Sequence, residues 1–129
     1  MNGKFLLDTN VILGFLKGAP SVVNFVNTLE PGCLHASVIT RMELLSFHGI
    51  TADEEKAIRD VLAAISIIPL SAEVEDIATR LRRATRRKMP DAIVAVSAVS
   101  LGAVLVTSDR ELAATEFPGL RATVPGECV

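Results

Sequence analysis

Short apolar segments alternate with amphipathic segments along the chain. Four apolar runs have the length of strands, at residues 4–7, 33–36, 67–70 and 103–106, and an edge strand is expected at residues 120–124. Apolar residues at about 3.6-residue spacing predict helices between these runs. The pattern therefore predicts strands and helices in alternation, beginning with a strand and helices over residues 9–16 and 21–29.

Capping residues mark where several of the later helices start. Ser37 has the character of an N-cap for a helix through residue 47, and Ser71 that of an N-cap for another. Thr51 with Glu54 forms a capping-box pattern. Pro90 is expected to end the helix that follows Ser71, because proline cannot continue a helix. The next helix opens at residue 91 and is apolar nearly all round, so we expect it to be buried, and a last short helix is expected over residues 109–114.

Apolar strands that alternate with helices favour a mainly parallel sheet covered on both faces. We therefore predict a three-layer α/β/α fold with a four- to five-stranded sheet, in a single domain that spans residues 1–129. Ligands of such sheets bind in the crevice outside the carboxyl ends of the strands. Asp8 and Asp109 each lie just after a predicted strand, so we expect a site at that edge.

Composition and charge indicate the compartment in which the protein functions. The net charge is -2, so the overall charge does not indicate nucleic-acid binding. Cys33 and Cys128 are isolated, which fits a reducing cytoplasm better than a disulfide framework. The first residues have no signal-peptide pattern. The longest uncharged run, residues 92–108, is short for a membrane span. We therefore expect a cytoplasmic protein that does not contact a membrane.

Four acidic residues stand in apolar surroundings, unlike the other acids, which lie in solvated runs: Asp8, Glu43, Asp91 and Asp109. Taken singly, the three aspartates are also typical helix N-caps, and Glu43 is also typical of an exposed helix face. If the strand ends converge, the four carboxylates share one pocket, where like charges repel and raise each other's pKa. One or two Mg²⁺ or Mn²⁺ ions would relieve this repulsion. A bound ion also activates water for attack on phosphorus.

Four segments in order along the chain resemble the motifs of PIN domains. They are residues 6–13 (LLDTNVIL), 40–44 (TRMEL), 90–98 (PDAIVAVSA) and 105–112 (LVTSDREL). The short chain and the form of these segments resemble the VapC-type toxins of toxin–antitoxin pairs most closely. Leu112 departs from the pattern, since an aromatic residue is common there.

The resemblance implies a metal-dependent endoribonuclease, the toxin of a type II toxin–antitoxin system. Asp8, Glu43 and Asp91 would match the core metal-binding acids, and Asp109 the fourth. Supporting hydrogen bonds would come from four further residues: Thr9, Asn10, Thr107 and Ser108. The implied partners are an RNA substrate, a cognate antitoxin that covers the active site, and a second copy of the chain in a homodimer.

A basic stretch precedes the third motif and holds six of the thirteen Lys and Arg residues. It is either a solvated helix end or a track for an RNA backbone. The RNA-binding candidates in it are Arg80, Arg83, Arg86, Arg87 and Lys88. Two other functions stay open for the chain as a whole. One is a metal-dependent phosphatase or phosphotransfer domain, although Asn10 replaces the second aspartate of a DxD motif, and the other is a catalytically silent PIN-like binding module.

Overall fold

The computed structural model describes residues 3–126. Its five strands form one sheet in the order β3-β2-β1-β4-β5, and every neighbouring pair is parallel. The strands are β1 (Phe5–Leu7), β2 (Leu34–Ser37), β3 (Ser66–Ile68), β4 (Val104–Val106) and β5 (Ala122–Thr123). The predicted parallel sheet is therefore confirmed, with five strands.

Helices occupy most of the connections between the strands. They are α1 (Thr9–Leu16), α2 (Pro20–Asn27), α3 (Val38–Leu45), α4 (Ala52–Ala63), α5 (Ala72–Thr85), α6 (Met89–Leu101) and α7 (Arg110–Ala113), with a 3₁₀ turn over Pro31–Cys33. No helix within residues 3–126 combines the length and the apolar character that a membrane span requires.

Both faces of the sheet are covered, because the strands are apolar on both sides. Leu6 of β1 and Leu105 of β4 belong to a core cluster with α5 and α6. Their neighbours Leu7 and Val106 point to the other face, into a second cluster formed with α1, α2, α3 and α4. Successive strand residues face opposite sides, so each strand serves two cores. This arrangement confirms the three-layer α/β/α architecture.

Most predicted helix starts are confirmed. Ser37 and Ser71 cap α3 and α5 through their hydroxyls, and Thr51 and Glu54 form both hydrogen bonds of a capping box at α4. The end of α5 was predicted wrongly. The helix ends at Thr85, and its C-cap Arg86 adopts a left-handed conformation with φ of 61°. Pro90 lies in the first turn of α6. Proline is tolerated there because the first turn does not need its amide hydrogen.

The strand order reverses direction between β1 and β4. The chain adds β2 and β3 on one side of β1, and then crosses back to place β4 and β5 on the other side. Loops that leave β1 and β4 diverge at such a switch point and open a crevice at the carboxyl ends of the strands. Asp8 follows β1 and Thr107 follows β4, so the fold brings both residues to this crevice.

Candidate active site

Asp8 lies at the centre of the crevice and is only 7% exposed. It is the N-cap of α1, and its Oδ1 accepts a hydrogen bond of 2.8 Å from the backbone amide of Thr9. Its Oδ2 accepts a hydrogen bond of 2.8 Å from Thr107 Oγ1 and one of 3.3 Å from Asn10 Nδ2. The side chain is therefore both a helix cap and a buried carboxylate held at two oxygens.

Asn10 and Thr107 join the loops that follow β1 and β4. Asn10 Oδ1 accepts a hydrogen bond of 3.0 Å from the Ser108 amide. The Thr107 hydroxyl is fully buried, and it accepts a hydrogen bond of 3.1 Å from the Asp109 amide. Through these contacts the carboxylate of Asp8 is connected to the backbone that carries Asp109. All four residues predicted to support the acids, Thr9, Asn10, Thr107 and Ser108, contribute hydrogen bonds here.

Glu43 reaches the crevice from α3. Thr9 Oγ1 donates a hydrogen bond of 2.6 Å to Glu43 Oε1, so Thr9 contacts Asp8 through its amide and Glu43 through its hydroxyl. The Thr9 hydroxyl also lies 3.2 Å from that of Thr40, which is fully buried one helical turn before Glu43. Sequence reasoning missed Thr40. Its position three residues before Glu43, on the same face of α3, was the available clue.

Asp91 and Asp109 lie at the starts of two other helices, α6 and α7. Asp91 is half-buried in the first turn of α6, whose N-cap position is Lys88, so the interpretation of Asp91 as an ordinary N-cap is wrong. Asp109 is a true N-cap. Its Oδ1 accepts hydrogen bonds of 3.0 Å and 3.1 Å from the amides of Glu111 and Leu112 at the start of α7. Its other carboxylate oxygen is not used in these capping bonds.

Electrostatic effects connect the four acids. Burial raises the pKa of Asp8, and the charges of Asp91 and Glu43 add to the rise, although hydrogen bonds from Thr107 and Thr9 oppose it. Burial likewise raises the pKa of Asp91, with Asp109 and Glu43 adding to the effect and Arg87 and Lys88 opposing it. Asp91 thus interacts with each of the other three acids.

The donor chemistry of this region suits a hard divalent cation, since the acidic groups are carboxylates and the neighbouring groups are hydroxyls and amides. Among residues 3–126, however, no three His, Cys, Asp or Glu side chains are already arranged to ligate one ion. Mg²⁺ commonly binds through only one or two carboxylates and keeps several waters. The arrangement therefore fits a hydrated cation better than a closed protein cage.

The basic stretch runs along the outer side of α5 and into the loop before α6. Arg83, Arg86 and Lys88 are exposed. Arg80 is 3.4 Å from Asp76 on the same helix, in an exposed ion pair. Arg87 is different, because its Nη2 donates a hydrogen bond of 2.6 Å to the backbone carbonyl of Glu111. The five candidates for RNA contact therefore stand in three different environments.

Solved structures with the same fold cover nearly the whole chain. A toxin–antitoxin complex from Klebsiella pneumoniae contains a chain that is 26% identical, with a TM-score of 0.83, over 97% of this chain and all of that one. DNA-bound VapBC from Salmonella typhimurium matches at 20% identity and a TM-score of 0.79, over 95% of this chain and 98% of that one. VapBC2 from Rickettsia felis, bound to a promoter DNA fragment, matches at 21% identity and a TM-score of 0.76, over 93% of this chain and 97% of that one.

No curated protein matches the sequence at a significant level. The family comparison is positive, since the model of the PIN domain matches residues 5–118, which include all four motifs and all four acids. The parallel sheet in the order β3-β2-β1-β4-β5, the acids at its switch point and this match agree with one another. The chain therefore belongs to the PIN domain family.

Proposed function

We propose that the protein is a Mg²⁺- or Mn²⁺-dependent endoribonuclease and the toxin of a type II toxin–antitoxin pair. One observation carries the proposal. Asp8 is buried at the switch point of the sheet, and the charges of Asp91 and Glu43 help to raise its pKa. A buried carboxylate that other carboxylates repel is costly without a cation, and such perturbed groups are typical of functional sites. Several similar structures are toxin–antitoxin complexes.

Asp8, Glu43 and Asp91 would hold the cation, and Asp109 would contribute the fourth carboxylate. One or two ions at this site would lower the pKa of water and neutralise charge that develops on the phosphate during hydrolysis. Glu43 is exposed, and Asp91 and Asp109 are half-buried, so these three carboxylates are open to solvent and to a phosphodiester. Asp8, in contrast, is covered and would stay in place while substrate binds.

The chain's own hydrogen bonds orient these acids. The Thr9 amide and the Thr107 hydroxyl hold the two oxygens of Asp8, and the Thr9 hydroxyl holds Glu43. Charge-assisted hydrogen bonds of this kind are short and directional. They restrict the side chains before substrate binds, which reduces the reorganisation that the reaction requires.

RNA would reach the acids along the basic surface formed by Arg83, Arg86 and Lys88. All three side chains are exposed, and the positive charge of Lys88 also acts on Asp91, so this surface leads to the acidic crevice. The chain has no Trp or Tyr, so recognition through backbone and shape is favoured over base stacking. Arg80 is a weaker candidate because it already pairs with Asp76.

An antitoxin and a second copy of the chain are the proposed protein partners. Apolar side chains line a cleft of about 530 Å³ between α1, α4 and the turn after α3, among them Leu13, Leu16 and Phe47. Phe47 is 47% exposed, so this cleft includes exposed apolar surface. A partner helix with an apolar face would bury this surface.

The test is cleavage of structured RNA by the purified protein, freed of any antitoxin, with Mg²⁺, Mn²⁺ or EDTA. We expect cleavage that EDTA stops and that Asp8→Asn or Asp91→Asn abolishes. Asp76→Asn is the matched control, because this aspartate is 77% exposed on the outer side of α5 and should leave cleavage unchanged. Equal cleavage by all three variants would overturn the proposal.

Two further outcomes of the same experiment identify the alternatives. Turnover of an aryl phosphate without cleavage of RNA would indicate a metal-dependent phosphatase. A well-folded protein that binds Mn²⁺ or RNA but cleaves neither substrate would indicate a silent binding module. Expression of the wild type but not of Asp8→Asn should arrest growth of the host, and co-expression of the cognate antitoxin should relieve this arrest.

A further inference from the structure

Arg87 differs from the other basic residues of its segment in what it contacts. Its side chain is 23% exposed, and Nη2 lies 2.6 Å from the carbonyl oxygen of Glu111 in α7. Its Nη1 is 3.8 Å from the Glu111 carboxylate, which is 88% exposed, so that ion pair is weak. The main contact of Arg87 is therefore a charge-assisted hydrogen bond to the backbone of α7.

The helix that receives this bond depends on contacts with its surroundings. α7 is four residues long, and a helix of one turn is not stable by itself. Asp109 caps its start, and Leu112 is fully buried and fixes it to the core. The carbonyl of Glu111 lies near its carboxyl end, where a cation is favourable, and it also accepts a hydrogen bond of 3.2 Å from Thr115 Oγ1. Arg87 thus supplies a further attachment, at the end opposite the cap.

This attachment joins the two segments that carry Asp91 and Asp109. Arg87 stands four residues before Asp91, in the loop that leads into α6, and α7 carries Asp109 as its cap. Both acids are carboxylates, and like charges that are brought to one site repel each other when no cation is bound. A tie between the start of α6 and α7 opposes the separation that this repulsion favours.

We propose that Arg87 is a positioning residue that ties α7 to the start of α6, so that Asp109 and Asp91 stay within reach of one cation, and that it does not contact RNA. This rests on the proposed function as far as the cation is concerned. It distinguishes Arg87 from Arg83 and Arg86, whose exposed side chains stay available to an RNA backbone. The basic stretch then has two roles, one inside the molecule and one on its surface.

The test compares Arg87→Ala and Arg87→Lys with Arg83→Ala as the matched control and with Glu111→Gln. The first measurement is hydrogen exchange of metal-free protein, read at the amides of residues 111–115. The second is the affinity for Mn²⁺ alone, by titration calorimetry without RNA. The third is the cleavage of RNA, separated into kcat and KM and repeated over a range of salt concentrations.

For Arg87→Ala we expect faster exchange in α7, a loss of about 10- to 100-fold in Mn²⁺ affinity and a similar fall in kcat, with KM and its salt dependence unchanged. Arg87→Lys should recover part of each loss, because the ammonium still donates to the carbonyl. Glu111→Gln should resemble the wild type, since it keeps the carbonyl. Arg83→Ala should raise KM and flatten its salt dependence while Mn²⁺ affinity stays constant.

The proposal is overturned if Arg87→Ala leaves α7 exchange and Mn²⁺ affinity at wild-type values, or if it changes only KM and salt dependence as Arg83→Ala does. Should Arg87→Ala not fold, Arg87→Lys is judged on the same measurements, with weaker Mn²⁺ binding supporting the tie and wild-type binding rejecting it. Hydrogen exchange and Mn²⁺ titration need no catalysis. A wild type that cleaves no RNA would therefore refute the proposed nuclease while the role of Arg87 is still decided.

Discussion

Replacement of Thr107 by valine tests whether the hydroxyl behind Asp8 supports the site. Thr107 is fully buried, and its hydroxyl donates to Asp8 Oδ2 at 2.8 Å while it accepts from the Asp109 amide at 3.1 Å. Valine has nearly the same shape, so Thr107→Val removes these hydrogen bonds without opening a cavity. The change therefore isolates the polar contribution of one atom.

The expected loss in the free energy of unfolding follows mainly from these two contacts, because the third hydrogen bond of this hydroxyl, from Asn10 Nδ2, is long at 3.4 Å. A hydrogen bond to a charged group contributes about 1.5 to 3 kcal/mol, and a buried amide left without a partner costs about 1 to 3 kcal/mol. Asp109 is half-buried, so water can replace part of its lost contact. Asn10 Nδ2 keeps its contact of 3.3 Å with Asp8. We expect a total loss of about 2 to 4 kcal/mol at neutral pH.

The loss should depend on pH in a defined direction. The hydrogen bond from Thr107 lowers the pKa of Asp8, against the larger effect of burial, which raises it. Thr107→Val therefore raises the pKa of Asp8 further. In acid, the carboxyl is protonated in the folded and unfolded states of both the wild type and the variant, so the difference in stability between the two proteins is smallest. It grows as the pH rises through the pKa that Asp8 has in the folded protein.

The assay is urea unfolding of metal-free protein at several pH values. Thr79→Val is the control, because this hydroxyl donates only to the Glu75 carbonyl on the exposed side of α5, and it should change stability by no more than about 0.5 kcal/mol. A loss below about 1 kcal/mol for Thr107→Val, or a loss that is the same in acid and at neutral pH, would refute this reasoning.

Three other changes test separate parts of the structure. Burial raises the pKa of Asp91, so the stability of the protein falls as the pH rises through that pKa. Asp91→Asn should therefore raise the Tm of metal-free protein above that of the wild type near pH 7 but not near pH 3. Equal Tm values for variant and wild type at both pH values would contradict this. Arg86→Gly should stabilise the protein by about 0.5 to 1 kcal/mol in thermal unfolding, because φ is 61° at this position and glycine adopts it without strain. Destabilisation would show that the arginine side chain contributes more than its left-handed backbone costs. Thr9→Val should free Glu43 and weaken Mn²⁺ binding about 10-fold in a calorimetric titration, while Thr9→Ser keeps wild-type affinity, and equal affinities in both variants would exclude this role.

Local patterns in the sequence determined most of the secondary structure and the class of the fold. The bounds of α1, Thr9–Leu16, agree with the prediction, and the caps at Ser37, Ser71 and Thr51 lie where predicted. These features depend on residues within a few positions of one another, so the sequence alone displays them. The same holds for acids that directly follow strands, which the parallel sheet must bring to one edge.

Tertiary structure alone decided how the supporting side chains pair with the acids. Thr107 and Asp8 are 99 residues apart in the chain, Thr9 and Glu43 are 34 apart, and Arg87 and Glu111 are 24 apart. No local periodicity encodes such pairs, because they depend on the order of strands in the sheet and on how each helix packs against it. The end of α5 at Thr85 was missed for a related reason, since its C-cap Arg86 is left-handed, a conformation that is disfavoured locally and must be stabilised by its surroundings.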